Sequence, residues 1–205
     1  MSYDTLASNE SIEKTINSLK EKGYLPESVE TGAEALQRIK DIIPAGASVM
    51  KGSSRTLDEI GFIDHLKSGQ HGWNNLAEAI TNEKDPAKQG ALRKQAVLSD
   101  FYLGSVHALA ETGEIIIASN SGSQLPHIAY TSPNIILVVS TQKITPDLDS
   151  ARKRLNEHVF PLEDARMKGT GAPGSFISKV LELHKEQPFM GRKFHIIFVK
   201  EKLGF

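Results

Sequence analysis

The run Ile135-Ile136-Leu137-Val138-Val139 is apolar throughout and almost wholly β-branched. A strand with one wet face alternates apolar and polar side chains, so an unbroken run needs cover on both faces. Cover on both faces is the mark of a parallel sheet with layers packed on each side. Helical and strand-like patterns alternate around this run. The predicted fold class is therefore α/β: a single domain with a mostly parallel sheet flanked by helices. A chain of 205 residues is long enough for one well-buried core and short for two, so residues 1–205 are read as one domain.

Local signals fill in the rest. Ser8 is placed to cap a helix that presents Ile12, Ile16 and Leu19 and stops at Gly23, giving an N-terminal helical segment over residues 1–23. Thr31-Gly32-Ala33-Glu34 reads as a capping box for a helix carrying Leu36, Ile39 and Ile43. Ala47 to Met50 reads as a short strand with Gly52-Ser53-Ser54-Arg55 as its exit loop, and Thr56-Leu57-Asp58-Glu59 as a second capping box. Residues 69–75, with Trp73, read as a surface loop. Asp85-Pro86 supplies an N-cap and first helical residue. Phe101 to Leu109 is expected to form a strand that turns at Thr112-Gly113 into Ile115-Ile116-Ile117. A short helix is expected from Pro126 to Tyr130. Thr145-Pro146 is expected to cap a helix with Leu148, Ala151, Leu155 and Val159 in register, with Arg152, Lys153 and Arg154 on its solvated face. Residues 169–174 read as a flexible Gly/Pro loop before a helix bearing Phe176, Ile177, Val180 and Leu181. Phe194 to Val199 is the last strand.

Composition excludes several functions. The formal net charge is −1, so no global field draws nucleic acid or an acidic membrane. The chain has no Cys, hence no disulfide, thiolate zinc site, iron–sulfur cluster or cysteine nucleophile of its own. The seven histidines, His65, His71, His107, His127, His158, His184 and His195, lack metal-ligand spacing, and no metal is expected. The first residues carry neither a basic segment nor an apolar core, and no apolar run approaches the ~18 residues that span a bilayer. A cytoplasmic protein without membrane or nucleic-acid partners is expected. Gly169-Thr170-Gly171-Ala172-Pro173-Gly174 matches G-x-G-x-x-G, but a charged segment precedes it and Pro173 falls where a helix should start, so it is not read as a dinucleotide fingerprint.

Two loops carry the candidate chemistry. Glu111-Thr112-Gly113 sets a carboxylate, a candidate general base or nucleophile, at a tight turn. The strand after it empties into Asn120-Ser121-Gly122-Ser123, with Gln124 and His127 beyond. Gly52-Ser53-Ser54-Arg55-Thr56 repeats the pattern of strand, small polar loop and helix, with Lys51 and Arg55 adding charge. Small residues at such a junction leave backbone N–H groups able to hold phosphate or carboxylate. A His107–Glu111 pairing is also conceivable from spacing, with Glu114 a weaker partner.

Gly52-Ser53-Ser54-Arg55-Thr56-Leu57-Asp58-Glu59-Ile60-Gly61 resembles the GxSxTLxEIG segment of the LUD (lactate utilisation) domain family. Ser99 to Ile115 resembles that family's second signature, and Leu203-Gly204-Phe205 also fits. The resemblance spans nearly the whole chain. It implies a fold like that of the glucosamine-phosphate isomerase, ribose-phosphate isomerase and CoA-transferase group. It also implies a role in oxidising L-lactate to pyruvate alongside iron–sulfur partner proteins. In the wider group the corresponding loops hold phosphate or CoA, and Glu111-Thr112-Gly113 looks like the nucleophilic Glu-Asn-Gly of CoA transferases. Thr112 departs from that Asn, and residues 119–123 lack the lysine–glycine run of the pentose-phosphate isomerases. The expected function is a lactate-utilisation component binding a small carboxylate or phosphorylated ligand. No cofactor is signalled on the chain, a homo-oligomer stays open, and the iron–sulfur oxidoreductase subunits would be separate. The alternatives are a CoA-transferase-like or sugar-phosphate isomerase-like enzyme using Glu111, or a non-catalytic interaction module.

Overall fold

A computed structural model describes residues 3–205; the first two positions of the predicted 1–205 domain lie outside the described residues. The chain opens with α1 (Asn9–Glu21), β1 (Leu25–Val29), α2 (Gly32–Ile42), β2 (Ser48–Lys51), α3 (Arg55–Glu59) and α4 (Phe62–Ser68). There follow β3 (Asn74–Asn75), α5 (Leu76–Asn82), α6 (Pro86–Gln95), β4 (Phe101–Gly104), β5 (Ala108–Ala110) and β6 (Ile115–Ser119). The remainder comprises β7 (Asn134–Ser140), β8 (Ile144–Thr145), α7 (Leu148–Arg154), α8 (Phe160–Gly169), β9 (Lys179–Leu183) and β10 (Lys193–Val199).

Six strands form one sheet in the order β1-β10-β7-β4-β2-β3, and every neighbouring pair in it is parallel. The predicted central strand is β7, and Ile135 to Val139 are fully buried. Its alternate side chains serve different layers. Ile136 and Val138 pack with Ala35, Ile39, Leu57, Phe62 and Leu66 from α2, α3 and α4. Ile135, Leu137 and Val139 pack with Leu19 of α1 and with Leu109, Ile115 and Ile117.

Those last three residues belong to a second sheet, in the order β8-β5-β6-β9. One face of the parallel sheet is thus covered by a sheet as well as a helix. The outer face of the second sheet is covered in turn by Ala151, Leu155 and Val159. The predicted strand from Phe101 to Leu109 is two strands in different sheets, because the chain bends at Ser105 to His107. Its neighbour does the same: β7 gives way to a single tight turn, Thr141–Lys143, and then to β8. β4 and β7 are parallel neighbours in the large sheet, and β5 and β8 are parallel neighbours in the small one. Two adjacent strands therefore cross together from one sheet to the other.

Several local expectations hold. Ser8 accepts from the Ser11 N–H at the start of α1, Thr31 from the Glu34 N–H at α2, and Asp85 from two N–H groups at α6. Others are corrected. Ser54, not Thr56, caps α3 by accepting from the Leu57 N–H. Asp147, not Thr145, caps α7, because Thr145 is already paired in β8. Residues 69–73 form a loop with Gly69, Gln70 and Gly72 exposed, but its end is not free. Asn74–Asn75 pairs with β2 at the sheet edge, and Trp73 is buried with its Nε1–H donating to the Ile43 carbonyl at 3.1 Å. The helix expected after residue 174 is the strand β9, antiparallel to β6. Leu181 and Leu183 turn onto the core while Phe176 and Val180 stay exposed, which is a period of two and not of 3.6. Arg154 is fully buried, whereas Arg152 faces out and pairs with Glu182. Arg154 stands three residues after Ala151, on the same helix face. β1 was not foreseen, since Pro26 argues against a strand. It is tolerated because β1 is an edge strand whose one neighbour among the described residues is β10. Among the described residues, no helix is long and apolar enough to cross a membrane.

The core assignment yields a contrast. Ile136→Ala should lower the free energy of unfolding in urea by about 2–5 kcal/mol, because it empties a site covered on both faces. Leu98→Ala, at a residue 74% exposed, should change it by no more than about 0.5 kcal/mol. Equal losses would refute the layering.

Candidate functional site

The strand exits converge on a cleft of about 600 Å³. Residues 52–56 come from the exit of β2, Ser105 to His107 from that of β4, and Lys143 from that of β7. These three strands are neighbours in the large sheet, and their C-terminal ends form the rim where open α/β sheets bind ligands. β6 runs antiparallel to β5 and so returns to the bend, delivering Asn120, Ser121, Ser123 and Gln124 to the opposite wall. The two predicted loops do face one cleft, although they come from two sheets and not from one.

Lys143 lines it and gave no signal in the sequence. It is 3% exposed, and its Nζ donates to Thr56 Oγ1 at 3.0 Å, Ser105 Oγ at 3.1 Å and the Val106 carbonyl at 3.3 Å. All three donors of the ammonium are matched, one exit of the sheet after another. None of the three acceptors is charged, and no carboxylate lies within 4 Å of the amine among the described residues. Burial, helped by the nearby Arg154, pushes the Lys143 pKa down to about 7, with Glu59 opposing. Gly204 closes over this group. A Cβ there would stand 2.5 Å from Thr56 Oγ1 and 3.0 Å from Lys143 Nζ, and its φ is +64°, so the position suits glycine on both counts. The Gly204 N–H donates to Glu59 at 2.7 Å, and Gln142 Nε2 donates to the Leu203 and Gly204 carbonyls. The Leu203-Gly204-Phe205 motif thus belongs to the site.

The other predicted residues divide. Gly52 lines the cleft, where a Cβ would come within 2.5 Å of the Tyr102 hydroxyl; its own N–H is spent on the Leu103 carbonyl. The N–H groups of Ser53, Ser54 and Arg55 have no acceptor among the described residues. Thr56 is buried as the partner of Lys143. The Arg55 guanidinium is shared with Asp58 and Glu59. In the second loop the cradle is partly filled by its own hydroxyls. Ser119 Oγ accepts from the Gly122 N–H and Ser121 Oγ from the Ser123 N–H. Asn120 Oδ1 accepts from Ser178, so this loop offers side chains more than amides.

Glu111, Thr112 and Gly113 stand apart from the cleft. β5 runs away from the bend, and four residues of strand carry Glu111 about 13 Å from His107. The Glu111 carboxylate accepts from Ser11 Oγ and Lys14 Nζ, each at 2.7 Å. Partial burial works to raise its pKa, but these two hydrogen bonds prevail and hold it below the ordinary value. Glu114 is likewise tied to Lys22 at 2.5 Å. The turn docks α1 onto the second sheet, and Glu111, the carboxylate expected to be catalytic, lies outside the lining of the cleft. The conceivable His107–Glu111 pair is not formed. His107 Nδ1 accepts from the Ala118 N–H at 3.1 Å, and burial, Lys143 and Arg154 together lower its pKa to about 3.

Two further side chains furnish the cleft. His127 stacks on Tyr102 with ring centroids 4.5 Å apart, and its Nδ1 lies 3.0 Å from Ser132 Oγ and 3.3 Å from Ser99 Oγ. Burial lowers its pKa to about 4, so it is neutral at physiological pH. Gln124 accepts from the Tyr102 hydroxyl at 3.4 Å and donates to the Ala118 carbonyl at 2.9 Å. Together they give the cleft a neutral polar lining. Burial also holds Lys51 below the ordinary lysine value.

Comparison with curated proteins finds no match. In fold the chain is similar to the crystal structure of a DUF162 family protein from Deinococcus radiodurans. The TM-score is 0.58 at 15% identity, over 95% of this chain and 99% of that one. The LUD domain model matches residues 12–199, a span holding the six strands of the parallel sheet and the three residues that accept from Lys143 Nζ, and on this ground the chain belongs to the LUD domain family.

Proposed function

We propose that the cleft binds a small anion, a carboxylate or a phosphorylated molecule, and that the chain serves L-lactate utilisation in the cytoplasm together with iron–sulfur partner proteins. One observation carries the first half: a buried ammonium at the cleft has only neutral oxygens around it. Burying a charge is costly unless it is paired, and a ligand anion supplies the pair. Lys51, Arg93 and Lys143 line the cleft and form no ion pair among the described residues. The carboxylates that line the cleft, Asp58 and Glu163, are occupied by Arg55 and Arg166. The open N–H groups of Ser53 to Arg55 and the serine hydroxyls suit the same ligand.

Family membership supports the second half. With no Cys the chain holds no cluster, so electrons leaving lactate would pass to a partner. An acyl-transfer reading through Glu111 is not the one the geometry favours, because that carboxylate is bound by Ser11 and Lys14 outside the cleft.

Calorimetric titration of the protein with L-lactate, pyruvate and phosphate tests the binding. At least one should bind, and Lys143→Met should weaken it by about tenfold or more, the loss of one charge-assisted contact. Unchanged affinity in that variant would sink the assignment. Titration with L-lactate or phosphate should weaken as pH rises through about 7, because the neutral amine formed above the Lys143 pKa no longer attracts an anion. An affinity flat from about pH 6 to pH 9 contradicts this. Deletion of the gene should impair growth on L-lactate, and normal growth would refute the metabolic role.

A further inference from the structure

Anion binding alone does not explain the company Lys143 keeps. A lysine built only to hold a carboxylate is best kept charged, and a nearby acidic group does that cheaply. Here the amine is 3% exposed and meets two hydroxyls and one carbonyl instead. A hydroxyl donates as well as accepts, so Thr56 and Ser105 can accept from the ammonium and can also donate to the neutral amine, whereas a carboxylate only accepts. The Val106 carbonyl only accepts, so it retains one N–H of either form and orients the nitrogen. The charged and titratable groups around it are Arg154, His107 and Glu59. Arg154 opposes the protonated amine, His107 is neutral, and Glu59 favours protonation but is engaged by Arg55 and the Gly204 N–H. The close approach of Gly204 keeps the amine in place, while the cleft leaves about 600 Å³ beside it.

We infer that Lys143 is a nucleophilic amine toward a carboxylate that carries an adjacent carbonyl, a 2-oxo acid, and forms a reversible imine with it at Nζ. The inference rests on the reading that this cleft takes a small carboxylate. The neutral amine adds to the carbonyl carbon, and its proton passes to the carbonyl oxygen, giving a carbinolamine. The C–O bond then breaks, water leaves, and the C=N bond forms, so no electrons are gained or lost. Thr56 Oγ1 and Ser105 Oγ, at 3.0 and 3.1 Å, are placed to carry the protons of addition and dehydration. Lys51 and Arg93 stand on the same cleft to hold the carboxylate. With a Lys143 pKa of about 7, a substantial share of the amine is neutral at physiological pH, the condition for nucleophilic lysine.

Pyruvate with cyanoborohydride is the direct probe, read by intact mass and peptide mapping, with pyruvate affinity measured in parallel. The expected result is one reduced adduct per chain, on the Lys143 peptide. L-Lactate, which lacks the carbonyl, should give none. Lys143→Arg should lose the adduct. Because the adduct is mapped in the wild-type chain, the test does not depend on that variant folding. Pyruvate that binds but leaves no adduct, or an adduct spread over surface lysines and unchanged in Lys143→Arg, overturns the imine and leaves the anion site standing. L-Lactate that binds where pyruvate does not overturns the imine alone, and failure of both to bind overturns it together with the carboxylate reading beneath it.

Discussion

The ammonium of Lys143 is held by oxygen atoms from two other strand exits, and the architecture around the cleft is arranged to make that possible. Taking an ammonium out of water costs several kcal/mol even after relaxation. It is sustained here because Thr56, Ser105 and Val106 reach it at 3.0 to 3.3 Å. Those three residues follow β2 and β4, and the amine follows β7. The bond set therefore requires β7, β4 and β2 to be adjacent and in register.

The second sheet follows from the same bend. β4 and β7 cross together into β5 and β8, which remain neighbours, so the crossing disrupts neither ladder. The bend opens the cleft, and the β5–β6 hairpin then decides which residues reach it. Whatever β5 carries away, Glu111 included, ends at the far turn beside α1. Whatever β6 brings back, Asn120 to Gln124, ends at the cleft. Strand direction thus sorts the two halves of a single sequence stretch into a docking turn and a ligand-facing wall.

What could be read from the chain follows the range of the signals. The central strand, the caps at Ser8, Thr31 and Asp85 and the Gly52 and Asn120 loops rest on contacts within a few residues, and these were legible. β9 was not: an apolar run of that length fits either period until β6 lies beside it. Arg154 read as solvated because its neighbours Arg152 and Lys153 are, and only the inward position of Ala151 reveals its side. Glu111 was legible as a turn carboxylate, but its distance from the cleft depends on the direction of β5. Lys143 gave no local signal at all, since its three partners lie 37 to 87 residues away along the chain. The closing Leu203-Gly204-Phe205 matched a family pattern, and its packing over Thr56 and Lys143 supplies the physical reason for the glycine.

The central claim is that Lys143 is a buried amine whose missing counter-charge is the ligand. Titration of the Lys143 side chain by nuclear magnetic resonance, with and without a bound carboxylate, tests it most directly. The account requires one lysine to titrate near 7 in the free protein, to vanish in Lys143→Met, and to shift upward when the anion binds. A Lys143 that titrates with the surface lysines and ignores the ligand would contradict it.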